Sequence, residues 1–148
     1  MNQVVISKGA EPAEVAEFYR RAGYSGGVGE SDLVLAARIN GALVGVTRLA
    51  QENQILVLRG MQVVQKFQRK GVGTKLLGSA VEAIGDLECW CIPYDYLCGF
   101  YAGADFEETS DAESPEFLVE RLLRYNESGK SVVLMKRKAA GTCGGEPA

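Results

Sequence analysis

The stretch Gln68-Arg69-Lys70-Gly71-Val72-Gly73 lies between an apolar strand pattern and an amphipathic helix pattern, and it decides the fold. Its two glycines leave the backbone open to a ligand, and the first amides of a helix have no acceptor inside that helix. The helix dipole and the two cations favour negative charge at the same point. The combination predicts a phosphate-binding turn. An ordinary helix cap with solvated basic side chains would use the same residue types.

The glycine spacing fits neither of two common phosphate-binding motifs. A Walker A loop needs G-x-x-x-x-G-K-[ST], and a Rossmann fingerprint needs a third glycine where Leu76 stands. A nucleotide triphosphate is therefore a less favoured ligand than another phosphate-bearing molecule.

The composition limits the function further. The chain has 148 residues, of which 47% are apolar and 24% charged, as in soluble globular domains. A net charge of −3 gives no general field for nucleic acid, and no apolar run is long enough to span a membrane. The absence of histidine excludes histidine catalysis and histidine-bound metals. Four cysteines and no secretory signal favour a cytoplasmic protein with reduced thiols and no metal.

Apolar periodicity predicts the element order β-α-β-β-β-α-β-α-β-α-β, an α/β (α+β) fold with a mixed sheet. Asn40-Gly41 predicts a hairpin, Gly60 a bulge, and the glycine-rich segment Gly23–Gly29 a mobile loop. We expect one domain over residues 1–138 and a disordered tail over 139–148. The predicted strands are 4–6, 33–39, 42–50, 55–64, 87–92, a short strand from 106, and 131–137. The predicted helices start near residues 12, 73, 95 and 115, the last with Ser114 as N-cap.

The glycine turn and its surroundings resemble the GCN5-related N-acetyltransferase (GNAT) superfamily, whose acetyl-CoA motif reads Q/R-x-x-G-x-G/A after the fourth strand. The resemblance implies a GNAT-like single domain with a mostly antiparallel sheet, a splayed central strand pair and flanking helices. It implies that amides from Phe67 or Gln68 through Thr74 bind the pyrophosphate, and that the strand 61–64 pairs with the pantetheine arm. The implied cofactor-binding residues are Met61, Val63, Val64, Gln68, Arg69, Lys70, Gly71, Val72, Gly73 and Thr74.

The same resemblance places Tyr101 as the general acid that donates a proton to the sulfur of CoA. A phenol of pKa about 10 is protonated at neutral pH and suits a thiolate leaving group. Two residues depart from the family pattern. Gln65 replaces a frequent proline, and Asp105 takes the place of a glycine before Phe106. Aspartate tolerates a left-handed backbone, so we expect the second turn to survive.

The general base is left open by the sequence. Without histidine, a carboxylate acting through water is the expected device, and the candidates are Glu30, Asp32, Glu52, Asp95 and Glu107. Arg48 and Arg59 could bind an acceptor carboxylate or could lie on a solvated outer face. Cys89, Cys91 and Cys98 lack zinc-site spacing and are expected in the core, with a redox role near the CoA thiol as the alternative.

These observations predict an acetyl-CoA-dependent N-acetyltransferase that moves the acetyl group to a primary amine by direct attack in a ternary complex. The expected acceptor is a small-molecule amine or a peptide, with no nucleic acid or membrane partner, and a homodimer is plausible. A non-catalytic acyl-CoA sensor or scaffold is the alternative, because it would keep the phosphate turn without needing Tyr101.

Overall fold

The computed structural model describes residues 3–139, and the chain divides into two compact units, Met1–Ala83 and Ile84–Ala148. The structure contains seven strands and four α-helices within the described range. The strand pairs within each unit are antiparallel, which confirms a mostly antiparallel α/β fold. The splay predicted for the central strand pair involves strands of different units, and it stays a prediction. The tail 140–148, with Cys143, lies outside the described residues.

The first unit is a four-stranded sheet with its helices. Its elements are β1 (Val4–Lys8), α1 (Pro12–Ala22), β2 (Leu33–Ile39), β3 (Ala42–Glu52), β4 (Ile55–Val63) and α2 (Val72–Ile84). The strands follow one another in the order β1-β2-β3-β4, each antiparallel to the next. The predicted boundaries of β2 are confirmed, and β3 runs two residues further than predicted.

The turn between β2 and β3 is the predicted hairpin. Asn40 has φ 51° and Gly41 has φ 83°, the left-handed backbone that a two-residue hairpin turn requires. The pairing of Ile39 with Ala42 closes the ladder directly on this turn.

Strand β4 contains the predicted bulge. Val46 pairs with Gln62 and Arg48 with Arg59, so Thr47 alone faces two residues of β4. One of those two is Gly60, whose φ is 67°. The bulge is thus a fixed change in the direction of β4, two residues before its end.

Helix α1 begins at Pro12, as predicted, and buries Val15, Phe18 and Tyr19 against the sheet. Ala22 is exposed because Gly23 (φ 75°) ends the helix at that point. The loop after α1 contributes to the core, since its residues Tyr24 and Val28 pack against the same cluster.

The second unit holds the shorter elements. They are β5 (Cys89–Cys91), α3 (Cys98–Ala102), β6 (Glu107–Glu108), α4 (Glu116–Glu127) and β7 (Met135–Arg137). β7 pairs with both β5 and β6. The prediction that β7 begins at Ser131 is wrong, because between 131 and 134 only an isolated Tyr94–Val132 bridge continues the pairing. Ser114 is not the N-cap of α4: Pro115 holds that position, and the Ser114 hydroxyl donates to Ser110 O at 2.6 Å.

Candidate functional site

The glycine turn joins the end of β4 to the start of α2. A short 3₁₀ segment, Gln65–Phe67, precedes it, and the first helical bond runs from Lys75 N to Gly71 O at 3.0 Å. The amides of Val72, Gly73 and Thr74 therefore have no acceptor within the helix. Gly71 has φ 87°, and a Cβ there would meet only open space. The backbone at this point is accessible to an anionic group.

Two of the amides expected in the turn are already engaged. Phe67 N donates to Val64 O at 2.8 Å, and Gln68 N donates to Gln65 O at 3.1 Å. The Gln68 side chain donates from Nε2 to Val63 O at 3.0 Å. Gln68 therefore fastens the turn to the end of β4, and the available amides begin later, at the helix start.

The charge around the turn is uncompensated. Lys66, Arg69, Lys70 and Lys75 are exposed, and α2 has no acidic residue in its first turn. Within residues 3–139, Arg69, Lys70 and Lys75 take part in no ion pair, while Lys66 lies over the Phe67 ring. An anion at the helix start would meet both free amides and unpaired cations.

Three residues predicted to contact the ligand lie just before the turn, two in β4 and one directly after it. Met61 and Val63 are half-buried, whereas Val64 is exposed and donates from its amide to Val44 O at 2.9 Å. They follow the bulge at Gly60 directly. The bulge therefore sets the direction of the segment that leads into the glycine turn.

Tyr101 lies on α3 of the second unit and is 5% exposed. Burial, with a smaller contribution from Cys91, raises the pKa of its phenol above the ordinary value. Its ring makes edge contacts with Phe100 at 5.0 Å and Phe106 at 5.9 Å between centroids. Asp105 has φ 70°, so the turn that glycine makes in the family pattern survives with aspartate, as expected.

A buried polar cluster in the first unit centres on Arg48, which is 1% exposed. Its Nη1 donates to Asp32 Oδ2 at 3.1 Å, and its Nη2 donates to Tyr24 Oη at 3.1 Å. Its Nε is buried and has no hydrogen-bond acceptor among the described residues. The solvated alternative for Arg48 is wrong. Arg59 is half-buried and donates to Glu52 at 2.9 Å.

Two tyrosines, Tyr19 of α1 and Tyr24 of the loop after it, connect this cluster to the β4 bulge. Tyr19 donates to Gly60 O at 2.9 Å, and its ring lies 4.5 Å from that of Tyr24. Burial, as the largest cause, raises the pKa of Tyr19. Asp32 Oδ2 also accepts from Gly29 N at 2.9 Å. The sequence did not show this arrangement; an arginine inside an otherwise apolar strand was its only visible sign.

A cavity of about 620 Å³ lies within the first unit beside this cluster. Part of its wall is the aromatic and acidic side of the cluster, namely Tyr19, Tyr24 and Asp32. The rest comes from α1, the segments on either side of it and the start of β2. Its volume falls in the roughly 300–1,000 Å³ range of small-molecule sites.

The remaining candidate residues are less distinctive. Glu52 is paired with Arg59, Asp95 accepts from the Ser131 hydroxyl at 2.9 Å, and Glu30 and Glu107 are exposed.

Cys89 and Cys91 are buried, as expected, and burial raises the pKa of Cys91 so that it stays a thiol. Cys98 is half-buried. Residues 3–139 contain no cluster of metal-ligating side chains, and none of their helices is long and apolar enough to cross a bilayer.

The profile of the acetyltransferase (GNAT) domain family matches residues 7–118, which is most of the chain. The chain belongs to the GNAT acetyltransferase family. Members of this family use acetyl-CoA. The glycine turn fits such a ligand, because its open space at Gly71, free amides and unpaired cations suit a pyrophosphate.

Solved GNAT structures share this fold at low sequence identity. The ribosomal-protein-S18-alanine N-acetyltransferase of Escherichia coli is 14% identical, with a TM-score of 0.71 over 99% of this chain and 100% of its own. Escherichia coli ElaA is 12% identical, with a TM-score of 0.67 over 93% and 100%. N-acetylglutamate synthase of Neisseria gonorrhoeae, solved with coenzyme A and N-acetyl-glutamate, is 17% identical, with a TM-score of 0.62 over 93% and 35%. No curated protein sequence matches the chain.

Proposed function

We propose that this protein transfers an acetyl group from acetyl-CoA to a primary amine, by direct attack of the amine on the thioester in a ternary complex. The glycine turn carries the proposal. It combines a positive φ at Gly71, open space around it and three helix-start amides beside cations that form no ion pair with any of residues 3–139. Family membership supports acyl transfer independently of this geometry.

In this proposal the pyrophosphate of the donor binds the amides of Val72, Gly73 and Thr74 at the start of α2. Gly71 leaves room for it, and Arg69 and Lys70 add charge. The pantetheine arm runs along Met61, Val63 and Val64. Gln68 acts indirectly, because its side chain fastens the turn to Val63 O.

Tyr101 is proposed as the acid of the reaction. The amine forms a bond to the thioester carbon, the carbon–sulfur bond breaks, and the departing thiolate takes the phenolic proton. The proton lost by the amine passes through water to a carboxylate. Burial raises the pKa of Tyr101, which keeps the phenol protonated over the neutral range. Catalysis then rests on positioning and on this one proton donor.

We further propose a cytoplasmic protein in which residues 1–138 act as one acetyltransferase domain. Cys89, Cys91 and Cys98 form no disulfide with one another in the described part of the chain, as is usual for proteins of that compartment. A homodimer through the C-terminal helix and strand would cover Leu123, an exposed apolar residue of α4. We propose small amines or peptides as acceptors, since one structural neighbour is named for a ribosomal-protein alanine and another for glutamate.

The test of the proposed reaction is acetyl transfer by the purified protein. Acetyl-CoA is incubated with a mixture of primary amines and peptides, the released CoA thiol is measured with a thiol reagent, and the acetylated product is identified by mass spectrometry. We expect amine-dependent thiol release together with a matching acetylated amine. Binding of acetyl-CoA without any amine-dependent release across the mixture would contradict the enzymatic function.

A further inference from the structure

We infer that the acceptor is an amine carried on an apolar body without a carboxylate, and that it binds in the cavity beside Asp32. This inference rests on the proposed function, since it names the acceptor class for that reaction. Three observations support it: the composition of the cavity wall, the Asp32 oxygen that accepts no hydrogen bond from residues 3–139, and the carboxylate partners that Arg48 and Arg20 already have.

The cavity wall is apolar over most of its extent. Val15 and Ala16 of α1, Val28 of the loop, and Leu33 and Val34 of β2 line it. Apolar lining with a few placed polar groups is typical of sites for small organic ligands. A hydrocarbon or aromatic body would lose water on entering, which favours binding by about 25 cal/mol for each Å² of apolar surface buried.

Asp32 supplies the group that would recognise the amine. Its side chain is 7% exposed and lines the cavity. Oδ2 accepts from Arg48 and from Gly29 N, while Oδ1 accepts no hydrogen bond from the described residues. A carboxylate oxygen on the wall of an apolar cavity is suited to binding a protonated amine, and the adjacent rings of Tyr19 and Tyr24 also favour a cation. The bound ammonium releases one proton to water before its nitrogen attacks the thioester, and the second proton leaves after the new bond has formed.

Arg48 and Arg20, the two arginines at the cavity, already have carboxylate partners. Arg48 is buried and committed to Asp32 and Tyr24. Arg20 lines the cavity but donates twice to Glu17, at 3.0 and 2.7 Å. Glu30, which also lines the cavity, takes part in no ion pair among residues 3–139. A free amino acid would therefore place its carboxylate against negative charge.

The link between the cavity and the donor segment runs through Tyr19. This side chain lines the cavity and donates to Gly60 O, one residue before Met61. An amine held by the cavity wall would thus lie beside the β4 bulge, from which the proposed pantetheine segment starts.

The test compares two acceptors that differ only in a carboxylate. Phenethylamine and phenylalanine are each assayed with saturating acetyl-CoA, and a lysine-containing peptide is the third arm. We expect kcat/KM for phenethylamine to exceed that for phenylalanine at least tenfold and to exceed that for the peptide. Equal or better use of phenylalanine or the peptide would overturn the inference, whereas failure to bind acetyl-CoA would overturn the proposed function instead.

Two substitutions locate the site. Asp32→Asn should raise KM for phenethylamine about tenfold with little change in acetyl-CoA affinity, because a charged partner of the amine is lost.

Because Asp32→Asn could also weaken folding by unpairing Arg48, Ala16→Phe provides a second variant on an exposed helix position that lines the cavity. Ala13→Phe, exposed on α1 outside the cavity lining, is its control. If Ala16→Phe and Ala13→Phe give the same KM, the amine does not bind in this cavity.

Discussion

Two properties of Tyr101 bear on its proposed role as a proton donor. Its ring is held by Phe100 and Phe106, and its phenol has a raised pKa because it is buried. Tyr19, a core tyrosine, has both properties as well. A proton donor to a thiolate benefits from the fixed ring, which holds the proton in place, whereas the raised pKa keeps the proton bound at neutral pH and makes the phenol a weaker acid.

Replacing Tyr101 by phenylalanine therefore tests the acid directly. The ring contacts remain, so we expect stability and acetyl-CoA affinity to change little while kcat falls about 100-fold. Steady-state kinetics and calorimetric binding measure the two effects separately. Tyr96→Phe, at a 76% exposed position, is the control and should retain wild-type kcat. An unchanged kcat in Tyr101→Phe would remove this residue from the mechanism.

Arg48 illustrates a different use of a polar residue, in which a single buried guanidinium holds both ends of the loop from Tyr24 to Asp32. Arg48→Ala leaves the Asp32 carboxylate buried without its partner, which should lower the free energy of unfolding by about 3–5 kcal/mol. Arg20→Ala removes an exposed partner of Glu17 and should leave stability nearly unchanged. Urea unfolding of both variants gives the comparison. Equal stability of the two would mean that the buried pair contributes no more than an exposed one.

At the scale of elements, the β4 bulge and the β2–β3 hairpin depend on glycine for different reasons. Both Gly60 and Gly41 have positive φ, but a Cβ on Gly60 would collide with the Tyr19 hydroxyl, whereas Gly41 faces open space. We expect Gly60→Ala to cost roughly 1–3 kcal/mol more than Gly41→Ala, because only Gly60 adds a collision to the backbone strain. Urea midpoints of the two variants measure the difference. Similar midpoints would show that the bulge tolerates a side chain.

Most elements could be predicted because their signals are local. The Asn40-Gly41 turn, the start of α1 at Pro12 and the glycine of the β4 bulge each follow from backbone preferences of single residues. Strand ends in the second unit could not be predicted, since the pairing partner decides where a ladder stops: β7 begins at Met135 although the apolar run starts earlier. The Arg48 cluster was also hidden, because it joins residues far apart in the sequence.

For the candidate site, the sequence predicted the turn but not which amides would be available. The engagement of the Phe67 and Gln68 amides depends on the 3₁₀ segment, which periodicity does not show. The cavity depends on how the Gly23–Gly29 loop packs on α1, a tertiary contact that local patterns do not contain.

At the scale of the whole molecule, the buried phenols make stability depend on alkaline pH. Burial raises the pKa of Tyr19 and Tyr101 above about 10, the value of an unfolded tyrosine. The unfolded chain then loses these protons first as the pH rises, so their contribution is complete below about pH 10 and declines above it. We expect a loss of up to about 1.4 kcal/mol per pH unit for each tyrosine in that window. Urea midpoints on either side of pH 10 measure it, and Tyr19→Phe should have a smaller slope. Equal slopes in wild type and Tyr19→Phe would refute this origin.

The whole chain has a negative net charge, whereas the glycine turn and its surroundings are positively charged. The protein has a net charge of −3, yet the exposed residues Lys66, Arg69, Lys70 and Lys75 lie within ten positions of one another. Such a local cationic site on an acidic protein favours a compact anionic ligand over an extended polyanion. Acetyl-CoA, with its pyrophosphate, meets that description.

The most direct test of the account is calorimetric titration of acetyl-CoA into the wild-type protein and into Gly71→Val. The account predicts saturable binding to the wild type and at least a tenfold weaker affinity for Gly71→Val, because a branched side chain would fill the open space and oppose the positive φ. Gly78→Val, on an exposed position of α2 away from the turn, should bind like the wild type. Wild-type affinity in Gly71→Val, or no binding of acetyl-CoA by the wild type, would contradict the assignment of the turn as the donor site.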